Sequence, residues 1–203
     1  MFIGKWNKSV ILTYVGLSLS IVGMFLCVQG EEYIKYSFIL LMLAGVCDMF
    51  DGFIARKCKR DDDEKAFGVE LDSLVDVVSF LIFPVVLLMT IGLRKWYHLI
   101  SFILFAICGV ERLGYFNISG NPEKPVEFYS GVPVTFTAII FPLMNLFKLC
   151  FDVGILIKVM FITTISTALL FILNVKVKKP KGLAYVCFSL LAIAMTIVYA
   201  MFM

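Results

Sequence analysis

Seven stretches of about 20 mostly apolar residues, parted by short charged or turn-forming segments, constrain this chain more than any other feature. Inside a bilayer every backbone N–H and C=O needs a partner within the protein. Runs of this length therefore read as membrane-crossing helices. They are predicted near 10–29, 35–57, 69–92, 97–117, 132–151, 155–175 and 183–203, with six to eight as the range and seven as the reading. An apolar share of 61% agrees, because a soluble domain stays nearer ~45–50%. No polar loop is long enough for a second, soluble domain. The expected fold is thus all-α, a polytopic transmembrane bundle forming a single domain over residues 1–203. The opening MFIGKWNKSV sets two lysines before an apolar run with no small-residue cleavage site after it, so a retained first helix is expected.

Charge asymmetry orients the bundle. With the N-terminus inside, only Lys35, Arg94, Lys95, Lys148 and Lys158 of the 18 lysines and arginines fall on the outer side. By the positive-inside rule the loops 58–68, 118–131 and 176–182 are then cytoplasmic. The basic run KVKKPK at 176–181 reads first as a topology signal, with anionic headgroup binding as the alternative. Six scattered cysteines form no C-x-x-C pair, which argues against a zinc site or disulfide framework. The single histidine, His98, follows Trp96 and Tyr97, the pattern of an interfacial aromatic belt. Mechanisms that need a catalytic histidine are weakened accordingly.

The chemistry lies in CDMFDGFIARKCKRDDDEKAFGVELDSLVDVVSF, residues 47–80. Asp48 and Asp51 are three apart and share a helix face, which Gly52 and Ala55 continue. Asp72 and Asp76 are four apart and share another, with Gly68 one turn earlier. Packed side by side, the two helices bring four carboxylates to one depth. Small residues at 52, 55 and 68 leave that surface open. Four anions in an apolar setting call for neutralising cations. An all-oxygen donor set selects a hard metal, Mg²⁺, Mn²⁺ or Ca²⁺. Two divalent ions give the simplest charge balance, and such a pair suits phosphoryl displacement. Arg56, one turn beyond the small residues, is placed to meet a phosphate or pyrophosphate.

Helix capping and pairing with nearby lysines account for Asp61, Asp62, Asp63 and Glu64, read as a solvated loop. They do not account for the four aspartates at i+3 and i+4 spacing. A cation-coupled transporter is the other alternative. It calls for midplane sites and inverted halves, and the sequence carries neither.

The pattern Asp48-x-x-Asp51-Gly52-x-x-Ala55-Arg56, eleven residues, then Gly68-x-x-x-Asp72-x-x-x-Asp76 resembles the signature of the CDP-alcohol phosphatidyltransferases, with all eight positions filled. The resemblance implies an enzyme of phospholipid biosynthesis. Such an enzyme moves a phosphatidyl group from a CDP-linked lipid to an alcohol and releases CMP. It further implies two divalent cations, Mg²⁺ or Mn²⁺, on Asp48, Asp51, Asp72 and Asp76. Gly52, Ala55 and Arg56 would meet the CDP moiety, Gly68 would give it room, and Asp76 would be the general base.

ELDSLVDVVSF with Pro84 after it, ERLGYFNI and FYSGVPVT resemble the phosphatidylserine synthase branch. The implied partners are CDP-diacylglycerol and L-serine. Alternative acceptors are glycerol 3-phosphate, an inositol phosphate or choline. The phosphorylated ones rank lower, because Arg112 and Lys124 are the only basic residues from helix four to helix five. Arg112, near Asn117, is placed to hold a carboxylate or phosphate, with headgroup snorkelling as the alternative. Gly131 and Pro133 either shape the same mouth or simply begin helix five. A homodimer, contact with membrane lipid, no nucleic-acid partner, and a cell-membrane location with the site facing the cytoplasm complete the expectations.

Overall fold

The computed structural model describes residues 4–5, 7–119, 128–174, 176–178 and 183–202. Lys124 lies outside the described residues. So does the basic run at 176–181, apart from the backbone of 176–178. Among the described residues, helices α1 (Ile11–Cys27), α2 (Ile34–Lys57), α3 (Asp62–Asp76), α4 (Phe83–Thr90), α5 (Trp96–Ser119), α6 (Thr137–Asn145), α7 (Val153–Ile172) and α8 (Leu183–Phe202) make up the fold. A π-helical turn, Val77–Ile82, joins α3 to α4 without a break, so the described residues form seven rods, as the hydropathy pattern predicts. One short antiparallel pairing, β1 (Phe128–Ser130) with β2 (Lys176–Lys178), accompanies them. Five of the rods are long and apolar enough to cross a membrane, and Val134–Leu149 and Cys187–Phe202 are shorter apolar helices. The protein is an integral membrane protein.

The third rod begins at Asp62, seven residues ahead of its predicted start. The acidic run is therefore not a loop but the first turn of α3. Asp61 is the N-cap: its carboxylate accepts from Glu64 N at 2.7 Å, and Asp61 N donates to Glu64 Oε2 at 2.9 Å. Asp-x-x-Glu is a capping box, and acidic side chains in a first turn complement the positive end of the helix dipole. Pairing with lysines also occurs, Lys65 with Asp62 at 2.8 Å and Lys5 with Asp63 at 3.1 Å. These pairs are exposed and contribute little to stability.

Small residues let the rods approach closely. Gly16 of α1 packs on Cys47 of α2, and a Cβ added at Gly23 would overlap the ring of Phe83. The core lies where α2, the π turn, α4 and α5 meet, around Phe38, Leu41, Phe80, Phe83, Leu88 and Phe105. A π turn rotates the next segment relative to the course of a regular helix. Here it lets the aspartate face of α3 and the core-facing residues Phe80, Leu81 and Phe83 belong to one rod. Pro84 has no N–H to offer the preceding turn. The Phe80 carbonyl, four residues earlier, accepts from Thr137 Oγ1 at 3.0 Å, which fastens the start of α6 to this rod.

At the far end, Trp96 is 74% exposed, as an interfacial residue should be. His98 instead turns inward and packs between Tyr97 and Phe161, with ring centroids 4.5 and 5.2 Å away.

Candidate active site

The antiparallel packing of α2 on the α3 rod places Asp48, Asp51, Asp72 and Asp76 on the wall of one cavity of about 310 Å³. One carboxylate oxygen from each of Asp48, Asp72 and Asp76 lies within 4.8 Å of the others. Asp51 lines the same cavity as these three. Asp51 and Asp76 are each 8% exposed, so water does little to screen this crowding.

Each aspartate of α2 is held by a hydroxyl from another element. Thr13 of α1 donates to Asp51 Oδ2 at 2.9 Å. Thr135, in the 3-10 turn Val134–Phe136 that leads into α6, donates to Asp48 Oδ2 at 2.8 Å. Neither threonine can be inferred from the spacing of the aspartates. The available signal was a hydroxyl at a fixed place in an apolar stretch, and only the fold shows which acid it meets.

Two guanidinium groups, Arg56 and Arg112, line the cavity together with the four carboxylates. The lining set thus carries an excess of two negative charges. Ligands on a single hard ion, with bonds of about 2.0–2.6 Å, lie no more than ~4–5 Å apart. The Asp48–Asp72–Asp76 oxygens meet that limit, and their donor type excludes a preference for soft metals. The residues therefore fit a hard divalent cation.

The predicted site residues divide in position. Gly52 and Arg56 line the cavity, and a Cβ added at Gly52 would meet Arg56 Nη1 at 3.8 Å. Ala55 is not among the lining residues, and Gly68 faces Arg60, whose Nη1 stands 3.5 Å from where its Cβ would be. Arg112 is buried and lines the cavity, its guanidinium 5.7 Å from the centre of the Phe116 ring. Asn117 also reaches the cavity, donating from Nδ2 to Ser73 Oγ at 2.9 Å. Burial on the cavity wall is at odds with Arg112 snorkelling to lipid headgroups.

Gly131 has φ +76°, and a Cβ there would stand 2.5 Å from the Phe171 carbonyl oxygen, so only glycine fits. Val132 N donates to Leu170 O at 3.2 Å, and Pro133 caps the 3-10 turn and lines the cavity. Of the Gly-x-Pro segment, Pro133 thus borders the cavity and leads into the fifth rod. Met42, Val46, Ile139, Phe188 and Ala192 make the remaining wall apolar. A cavity lined by carboxylates and guanidiniums together with aliphatic and aromatic groups suits an amphiphile with a phosphorylated head.

A family model for CDP-alcohol phosphatidyltransferase matches residues 6–202, nearly the whole chain. An archaetidylserine synthase of Methanothermobacter thermautotrophicus is 29% identical over 130 residues, 64% of this chain and 53% of that protein. A CDP-diacylglycerol–serine O-phosphatidyltransferase of Methanocaldococcus jannaschii is 35% identical over 134 residues, 64% of this chain and 62% of its own. One of the same name from Bacillus subtilis is 31% identical over 107 residues, 51% of this chain and 57% of its own. The chain spans between half and two thirds of the length of these relatives.

Proposed function

Since the chain belongs to the CDP-alcohol phosphatidyltransferase family, we propose that it transfers a phosphatidyl group from CDP-diacylglycerol to L-serine, forming phosphatidylserine and releasing CMP. The observation that carries this reading is the convergence of Asp48, Asp51, Asp72 and Asp76 on the wall of one mostly apolar cavity. Names of relatives at ~30% identity favour serine as acceptor.

The serine hydroxyl oxygen forms a bond to the phosphorus that carries the diacylglycerol. The bond from that phosphorus to the bridging oxygen breaks, and CMP leaves with the electron pair. Asp76, buried and facing the cavity, takes the hydroxyl proton as the new bond forms. Asp48, Asp51, Asp72 and Asp76 would hold two divalent cations, Mg²⁺ or Mn²⁺; when bound, these neutralise charge on the pyrophosphate and on the departing CMP. Arg56 and Gly52 sit where a nucleotide pyrophosphate would enter from the α2 side. In the same scheme Ala55, between them on α2, meets the same CDP moiety, and Gly68 on α3 gives it room. Arg112, with Asn117 beside it, supplies a buried cation for the serine carboxylate.

The site faces the cytoplasm in this reading. Lys35 begins α2, whereas Arg56 and Lys57 end it beside the aspartates, in keeping with the positive-inside rule. A homodimer is part of the proposal by family membership. The deciding experiment is an acceptor screen with purified protein, CDP-diacylglycerol and Mg²⁺ or Mn²⁺, scored by CMP release. Turnover with serine is expected. Turnover with glycerol 3-phosphate, an inositol phosphate or choline and none with serine would move the protein to a sibling activity. No CMP release with any acceptor would leave a cation-coupled transporter as the reading to pursue.

A further inference from the structure

We propose that Thr135 is a positioning residue for the metal-binding cluster, fixing the orientation of Asp48 from the turn that leads into α6. The hydroxyl donates to Asp48 Oδ2 at 2.8 Å across 87 residues of sequence. An ionised carboxylate only accepts hydrogen bonds, and a donor on one oxygen holds the group in one rotamer with its remaining lone pairs directed elsewhere. One oxygen of each of Asp48, Asp72 and Asp76 lies within 4.8 Å of the others, so the rotamer of Asp48 sets what its carboxylate presents to this cluster. Partners of this kind orient metal-ligating carboxylates, and their loss costs ~10–100-fold in metal affinity.

Thr135 can do this because its own backbone is anchored on both sides. Upstream, Gly131 and Val132 lock onto the end of α7 through the close approach to Phe171 and the bond to Leu170. Downstream, Thr137 is fastened to the Phe80 carbonyl. Within the turn, Phe136 N donates to Pro133 O at 3.1 Å. The methyl group of Thr135 lies 4.0 Å from the point a Gly45 Cβ would occupy, so the side chain is seated on α2 as well as bonded to it. Pro133 and Phe136 of the same turn line the cavity. The turn that lines the cavity therefore also sets a ligand of the cluster.

This inference rests on the proposed function only in that the aspartates bind a divalent ion. The test is Mn²⁺ binding by electron paramagnetic resonance to detergent-purified protein without substrates, for wild type, Thr135→Val, Thr135→Ala and Thr135→Ser. Thr135→Val keeps the shape and removes the donor, and its Mn²⁺ affinity is expected to fall by about 10-fold or more. Thr135→Ser restores the donor and is expected to stay within about threefold of wild type, which a purely packing role for the methyl group would not give. If Thr135→Val fails to fold, Thr135→Ala carries the same expectation. Wild-type Mn²⁺ affinity in a folded hydroxyl-free variant overturns the role of Thr135, whatever reaction the protein performs. Hydroxyl-dependent Mn²⁺ binding in a protein that releases no CMP upholds this inference and overturns the proposed transfer.

Discussion

The hydroxyl of Thr13 donates a 2.9 Å hydrogen bond to Asp51 Oδ2, tying the first rod to the aspartate cluster. Both groups are buried, at 8% exposure each. Thr13→Val removes the donor while keeping the side chain's shape, leaving a buried carboxylate oxygen short of a partner. Such a loss costs about 1–3 kcal/mol. Thermal unfolding in detergent is expected to show a lowered midpoint, with the shift reduced in Thr13→Ser. An unchanged midpoint for Thr13→Val would mean that water replaces the hydroxyl.

Asp76 is the proposed proton acceptor. Asp76→Asn keeps the volume and removes the basicity, so CMP release is expected to fall by roughly 10²–10⁴-fold or more. The variant should still insert and purify as the wild type does, since it also relieves carboxylate crowding. Undiminished CMP release would remove Asp76 from the proton transfer.

Arg112 is buried on the wall of the cavity that Pro133 and Phe136 also line. Losing a charge-assisted hydrogen bond to a carboxylate corresponds to ~1.5–3 kcal/mol. Arg112→Ala is therefore expected to raise the serine KM by about 10-fold or more, with the KM for CDP-diacylglycerol unchanged. Steady-state kinetics with each substrate varied in turn measures the split. Equal effects on both KM values would assign Arg112 to the nucleotide lipid instead.

Binding of a cation to the folded state alone raises stability by mass action, by about 2.7 kcal/mol when the ion is at 100 times its Kd. Adding Mn²⁺ after chelation with EDTA is expected to raise the unfolding midpoint. The rise should be much smaller in Asp72→Asn, because one of the three converging oxygens is then neutral. An equal rise in both proteins would place the ion elsewhere.

Close packing of the rods depends on Gly23, where a methyl group would overlap the fully buried ring of Phe83. Overpacking of this kind costs ~1–3 kcal/mol. Gly23→Ala is expected to lower the unfolding midpoint. Gly114→Ala, with nothing within 4 Å of the added carbon, should leave it unchanged or raise it. A neutral Gly23→Ala would show that α1 and α4 can separate at little cost.

The seven rods and the aspartate pairs are legible in the sequence because both are local. A bilayer selects apolar runs by length, and i+3 and i+4 spacing places side chains on one helix face whatever surrounds them. The start of α3 escapes hydropathy for a related reason. Asp61, Asp62, Asp63 and Glu64 are polar enough to look like a loop, while their capping geometry makes them a favourable opening for a helix. His98 departs from the aromatic belt that Trp96 and Tyr97 suggest, because the ring of Phe161, distant in sequence, packs on an imidazole turned inward.

By itself, the sequence determined a membrane-embedded helical bundle, a two-helix carboxylate cluster and the family pattern those carboxylates follow. The tertiary structure decided which hydroxyl holds which acid, that Arg112 stands on the cavity wall, and that Gly68 faces Arg60. The physical reason is the reach of the interactions. Helix periodicity and transfer from water act over a few residues and leave their mark in the order of amino acids. Thr135 meets Asp48 only after four rods have packed and the 131–137 turn has been clamped between Leu170 and Phe80. Nothing in the local sequence encodes that distance.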